Sequence, residues 1–242
     1  MAIDYTKRPQ PAPAPTVAPA QESVQESVPR KVTLTKGSPK VSLTKSGGVG
    51  GVARVNLNWS AQSPEPAPAA GGGLLSRMKK AATSGPAPQG IDLDLGCLYE
   101  LADGRKGVVQ ALGGAFGSLN APPWIFLDGD DRSGNVAGGE NMSINLGQPG
   151  RFRRVLIFAM IYEGAPNWAA VDGVVTLTPA TGQQIEVRLD DTGAASRMCA
   201  VAQLVESGGD LVFQREVRYI DGGQVALDKA FGWGMNWSPG RK

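Results

Sequence analysis

The 242-residue chain contains no histidine and only two cysteines. Without histidine no Ser-His or Cys-His pair can activate a nucleophile, and a structural zinc site with four nitrogen or sulfur ligands cannot be built within one chain. Aromatic residues are few, at 6% of the sequence. No apolar run approaches the roughly 20 residues that a membrane-spanning helix needs, and the opening MAIDYTKRPQ has no apolar signal core. The expectation is a cytoplasmic protein. Cys97 falls on the apolar phase of its segment and Cys199 lies in MCAVAQLV, so both read as small buried hydrophobes rather than as a disulfide in a reducing compartment.

Net charge is also small, at +2, but the two signs are unevenly placed: residues 1–90 carry 11 Lys+Arg against 4 Asp+Glu, and residues 91–242 carry 13 against 18. A basic front precedes an acidic body. Within the front, Pro-Ala repeats and a shortage of large apolar residues leave too little to bury against chain entropy, so residues 1–30 read as a disordered arm. A second stretch of that kind, 60–89, reads as a flexible Pro/Gly-rich insertion in a domain that otherwise runs over 31–242. Its centre, GGGLLSRMKKAA, places Leu74, Leu75 and Met78 to one side of Arg77, Lys79 and Lys80. Such an island could touch an anionic surface or a partner groove, or simply form a nascent turn in a linker.

The rest of the chain is a series of short alternating segments separated by Gly, Asn and Asp. That pattern, with no strong helical periodicity, predicts an all-β sandwich of two mainly antiparallel sheets. VTLTKG from Val32 and VSLTKS from Val41 are near copies, each suited to a sheet edge. VLIFAMIY from Val155 is apolar on both phases, as a central strand covered on both faces should be. Arg151, Arg153 and Arg154 precede it, either balancing acidic loops or standing at a solvated strand entrance. The glycine-rich tail with Phe231, Trp233 and Trp237 suits closure of an open end of the sandwich, or an aromatic platform.

Seven carboxylates concentrate in two segments, IDLDLGCLYEL from Ile91 and FLDGDDRSGNVAGGENMSINL from Phe126. In the first, Asp92 and Asp94 share one face of a strand, about 7 Å apart at roughly 3.3 Å per residue. In the second, Asp128, Asp130, Asp131 and Glu140 surround glycines that let a loop turn its oxygens toward one point. Oxygen ligands without nitrogen or sulfur favour calcium or magnesium, and calcium's six to eight oxygens suit this composition. The spacing is not that of an EF-hand, since the sixth position from Asp128 is Ser133 and the twelfth is Gly139. The other reading is that these are solvated turn acids and the outward face of an exposed strand.

Taken in order, KVSLTKSGG, ARVNLNW, IDLDLGCLYEL, the DDRSG from Asp130, GENMSINL, VLIFAMIYEG and FGWGMNWSPGRK resemble the TerD-domain proteins of bacterial tellurium resistance and general stress response, the tail most like the TerA-type branch. The resemblance covers roughly 41–242, apart from the insertion, and implies a calcium-binding β-sandwich. Position by position, Asp92 and Asp94 match the D-x-D strand, Asp130, Asp131 and Ser133 the D-D/N-x-S/T-G loop, and Glu140 the acid that closes it. One departure is NVAGG, which stands where TerD-type relatives run several acids together and leaves fewer oxygens for a second ion. The implied function is a non-catalytic stress-response interaction module that binds Ca2+ and joins other tellurium-resistance proteins in a membrane-associated complex at the inner membrane face. No nucleic-acid partner is expected. A calcium-dependent adaptor for anionic lipid is the alternative. A carboxylate-based hydrolase is the third class, because Asp92 and Asp94 also meet the separation a glycosidase requires.

Overall fold

A computed structural model describes residues 31–60, 90–128, 138–148, 150–189 and 195–238. Thirteen strands run in chain order: β1 (Lys31–Thr33), β2 (Lys40–Ser42), β3 (Val52–Asn58), β4 (Asp92–Leu101), β5 (Lys106–Val109), β6 (Gly117–Ser118), β7 (Ile125–Leu127), β8 (Glu140–Asn145), β9 (Phe152–Glu163), β10 (Gly173–Thr178), β11 (Gln184–Leu189), β12 (Met198–Ser207) and β13 (Asp210–Ile220). One short helix, α1 (Gln224–Phe231), follows. The strands form two sheets, β1-β11-β10-β3-β8-β7-β6 and β2-β13-β12-β9-β4-β5. Every pairing between these strands is antiparallel except β1 with β11, so the expected sandwich of two mainly antiparallel sheets is what the chain forms. The arm expected over 1–30 lies outside the described residues. So does the insertion of 60–89 apart from Ser60, whose N–H donates to the Val171 carbonyl at 3.1 Å.

Period-two alternation explains the layers. On β3 and β8, Val55, Leu57, Met142 and Ile144 point inward and meet Leu93, Leu95, Cys97, Val155, Ile157 and Ala159 of the opposite sheet in one buried core. The central strand β9 is apolar on its other phase too, because Leu156 and Phe158 enter a second cluster with Leu98, Met198, Leu227 and Trp233 on the outer face of the six-stranded sheet. Helix α1 and the tail after it cover that face. The near-copy segments part company. β1 closes an edge of the seven-stranded sheet beside β11 and β2 an edge of the other beside β13, which fits the edge role predicted for each. Cys97 and Cys199 are both buried and not joined in a disulfide, as expected of small core residues.

Gly96 of β4 sits opposite Phe158 of β9, and a Cβ added there would lie inside van der Waals distance of the Phe158 ring. The ring lies over the bare backbone and seals the outer cluster. Because Phe158 is fully buried, it has little room to yield. Gly96→Ala should therefore cost about 1–3 kcal/mol, the usual penalty of overpacking. Urea denaturation measures it, and an unchanged midpoint would show that the outer cluster is loosely packed.

Candidate metal centre

Asp92 and Asp94 open β4, at the sandwich end where β9 finishes and β8 begins. Their face is set by their neighbours. Leu93, Leu95 and Cys97 enter the inter-sheet core, so Asp92 and Asp94 fall on the other phase with Gly96 and Leu98. Both carboxylates are nonetheless buried, at 6% and 4% exposure, which removes the reading of this pair as the outward face of a solvated strand. β4 is thus covered on both faces along almost its whole length.

Glu140 arrives from the other sheet. It shares the inward phase of β8 with Met142 and Ile144 and is 2% exposed. Its Oε2 accepts the N–H of Leu95, a donor on the stretch of β4 that β5 does not reach, since β5 pairs only with Cys97–Glu100. Glu140 and the D-x-D pair therefore approach the first half of β4 from two sides. The entry to Glu140 is shaped by two residues whose role the sequence did not reveal in full. Gly139 has φ +62°, and a side chain there would collide with the Leu57 carbonyl. The Asn56 amide donates to the carbonyls of Gly138 and Glu140 and to Asn141 Oδ1, holding the loop exit against β3.

Asp128 goes elsewhere. It continues the outward phase of β7 after Phe126, its side chain is 38% exposed, and its Oδ2 lies 3.5 Å from Arg54 Nη2 on the outer face of the seven-stranded sheet. The structure does not bring it to Asp92, Asp94 and Glu140. Asp130, Asp131 and Ser133 lie outside the described residues. Among the described residues no three Asp, Glu or Cys side chains close around one point in a metal-holding cluster. The buried donors at this end are carboxylates, whose hard oxygens fit calcium and not a soft ion. Asp92 and Asp94 on one side of β4 and Glu140 on the other are the described residues that could contribute oxygens to such an ion.

Arg153 and Arg154, near the start of β9, have a different task from either one expected of them. Arg153 Nη1 and Arg154 Nε bond to Glu100 at 3.1 and 2.8 Å, and Lys106 Nζ lies 3.9 Å from the same carboxylate. Burial works against charge on Glu100, but the Arg154 and Arg153 hydrogen bonds outweigh it and hold the carboxyl below its ordinary value. Arg154 also donates to the Phe231 and Gly232 carbonyls at the end of α1, and its guanidinium lies 3.8 Å from the centre of the Trp233 ring. Asp228 then clasps the tail, accepting from Gly234 N–H, Met235 N–H and the Trp237 indole at 2.8–3.0 Å. The tail aromatics thus cover a sheet face rather than one end of the sandwich.

No protein-family model matches the chain. Against curated proteins, it is 43% identical over 212 residues to "Tellurium resistance protein TerA" of Alcaligenes sp. That alignment takes in 88% of this chain and 58% of the relative, so the chain spans little more than half of the curated protein it matches. Among solved structures, a protein of unknown function designated SAV2460 superposes with a TM-score of 0.50 at 18% identity, over 76% of this chain and 98% of that one, and shares the fold. A homologue of telluride resistance protein (TerD) from Streptomyces coelicolor A3(2) gives 0.47 at 21% identity over 74% and 94%, an overlap too loose to add to that. The ordered motifs, the two-sheet sandwich and the identity to TerA agree: the chain belongs to the TerD-domain, TerA-type family of tellurium-resistance proteins.

Proposed function

We propose that this chain is a calcium-binding, non-catalytic stress-response module that acts by presenting a calcium-ordered surface to other tellurium-resistance proteins in a complex at the cytoplasmic face of the membrane. The observation that carries the reading is the burial of Asp92, Asp94 and Glu140 around one half of β4. Three buried carboxylates gather hard oxygen donors at one end of the sandwich, the ligand type that a divalent ion such as calcium takes. Any partner that prefers the calcium-bound form of this end of the sandwich is then coupled to calcium by its differential affinity. The absence of histidine supports the non-catalytic assignment, since general acid-base work would fall to carboxylates already committed to the ion. Among the described residues no helix is long and apolar enough to cross a membrane. Membrane association in this reading comes through partners.

Thermal denaturation in calcium, magnesium and chelator tests the proposal. Calcium at 100 times its dissociation constant should add about 2.7 kcal/mol by mass action, with magnesium well behind because it sheds water reluctantly and demands octahedral geometry. A melting curve indifferent to millimolar calcium removes the reading.

A further inference from the structure

β5 is the last strand of the six-stranded sheet, and among the described residues it pairs with β4 and with no strand on its other side. The direction of its backbone groups follows from its neighbours. The Arg105 carbonyl accepts the Leu101 N–H of β4 at 2.8 Å, and the Gln110 N–H turns away from β4 to the Ala115 carbonyl at 2.9 Å. Successive residues of a strand face opposite edges, so Gly107 and Val109 bond to β4 while Lys106 and Val108 present N–H and C=O groups to the open side. Beside that edge lies a groove of about 390 Å3, with Lys106, Gly107 and Val108 on one wall and Met235, Asn236 and Trp237 of the tail on the other. The Trp237 indole is held by its bond to Asp228 at 3.0 Å, so the apolar wall is formed in advance of any ligand.

Open donors and acceptors beside a formed groove suit an extended peptide that adds as a strand. The sequence of this chain carries a segment fitted to a single edge. Residues 9–15 read Pro-Gln-Pro-Ala-Pro-Ala-Pro, with proline at every second position, which is the period of a strand. Proline has no N–H, and in a sheet it is tolerated where the missing donor faces solvent. With this period Pro9, Pro11, Pro13 and Pro15 all fall on one edge, and Gln10, Ala12 and Ala14 turn their N–H and C=O groups to the other. Such a segment adds to a sheet on one side and offers no N–H to a further strand.

We propose that the open edge of β5 is a docking site for this alternating-proline segment, residues 9–15 of the same chain, added as a short parallel strand. With Pro11 opposite Lys106 and Pro13 opposite Val108, the Gln10 and Ala12 carbonyls accept the Lys106 and Val108 N–H groups, and the Ala12 and Ala14 N–H groups donate back to the Lys106 and Val108 carbonyls. The proline rings then share the outer face with Val108 and Trp237, which pack against the cluster around Trp233. Chain length allows it. β1, to which the arm leads, borders the other lateral edge of the sandwich, about 24 Å away across six strands at 4.8 Å per step, and residues 16–30 span up to about 50 Å when extended. Docking here is independent of calcium.

Amide hydrogen exchange of the full chain, read residue by residue by NMR, tests the proposal. The Lys106 and Val108 amides should exchange at least tenfold more slowly than in Ala12→Pro/Ala14→Pro, a double variant that removes the two N–H donors and sets pyrrolidine rings against β5. Pro13→Ala, which changes a residue on the solvent edge and keeps both donors, should retain the protection. The Gly107 and Val109 amides, which bond to β4, should stay protected in all three chains and report an intact fold. The proposal is overturned if the Lys106 and Val108 amides exchange in the unchanged chain as fast as in the double variant, or if Pro13→Ala loses the protection as fully, which would make ring contacts and not edge pairing responsible. It is also overturned if the protection disappears on dilution, which would make the occupant a second copy.

Discussion

Trp233→Ala should lower the unfolding free energy by about 3–5 kcal/mol, the range for removing a fully buried large aromatic. Trp233 is 1% exposed and packs with Leu98, Leu156, Phe158 and Leu227. Its Nε1 donates to the Tyr99 carbonyl at 3.2 Å, and its own carbonyl accepts Lys106 Nζ at 2.7 Å. The indole therefore joins α1, β4 and β5, and its loss would uncover the outer face of the six-stranded sheet. The clasp beside it adds a pH dependence of known sign. Burial opposes charge on Asp228, but the N–H groups of Met235 and Gly234 and the Trp237 indole outweigh it and lower the carboxyl's pKa. A lowered folded-state pKa contributes stability that is present above the unfolded value, near 3.9, and is lost as pH falls through the folded one. Urea titrations at pH 7 and at pH 3 should show the tail loosening only in acid. A loss below about 1 kcal/mol for Trp233→Ala would mean that the tail is not part of the cooperative fold.

How much of this architecture could be read beforehand depended on how far one local rule could reach. β4, β10 and β11 belong to the short alternating segments read from the sequence, because each runs with a period of two between turn residues. The helix α1 could not be seen. It has eight residues between glycines, and Val225 is left exposed at 48%, so no apolar stripe marks it. Tertiary cover supplied by Leu227 and the tail, not propensity, makes it a helix. The assignment of β1 and β2 to different sheets was equally hidden, since three-residue edge strands carry no sequence signal for their partners.

The same limits separate the metal centre into legible and illegible parts. The D-x-D pair and Glu140 were named from residue type and spacing, and the structure places all three at one end of the sandwich. The alternation that names a strand also sorts its acids. Asp128 follows the outward phase of Phe126, whereas Glu140 leads the inward phase of Met142 and Ile144. That distinction was present in the sequence and lost by counting acids rather than phases. The burial of Asp92 and Asp94 was not present there, because a polar phase looks the same whether water or protein covers it. Likewise Arg153 and Arg154 at the start of β9 gave no hint of Glu100, which lies more than 50 residues away in sequence but stands opposite Arg154 across the strands.

Asp94→Asn is expected to change sign with calcium. In its presence the substitution should weaken calcium binding at least tenfold, equivalent to about 1.4 kcal/mol, because it takes formal charge from a hard-cation site whose affinity follows charge count. In chelator the effect should reverse. Asp94 is buried two residues from Asp92 on the same strand face, with Glu140 bonded to the next backbone N–H, and neutralising one of several neighbouring carboxylates relieves repulsion that low dielectric strengthens. The apo variant should therefore melt at the same temperature as the unchanged protein or a few degrees above it. Asp131→Asn, in the loop that the family resemblance assigns to the ion, should show the same pair of signs. Asp103→Asn is the control: its side chain is half exposed in the turn between β4 and β5 and already bonded to Arg105, so calcium affinity should not move. If Asp103→Asn weakens calcium binding as much as Asp94→Asn does, the ion is not held at β4. If Asp94→Asn destabilises the apo protein by several kcal/mol, its carboxylate is a structural hydrogen-bond acceptor, and the charge-repulsion account of this end of the sandwich is wrong.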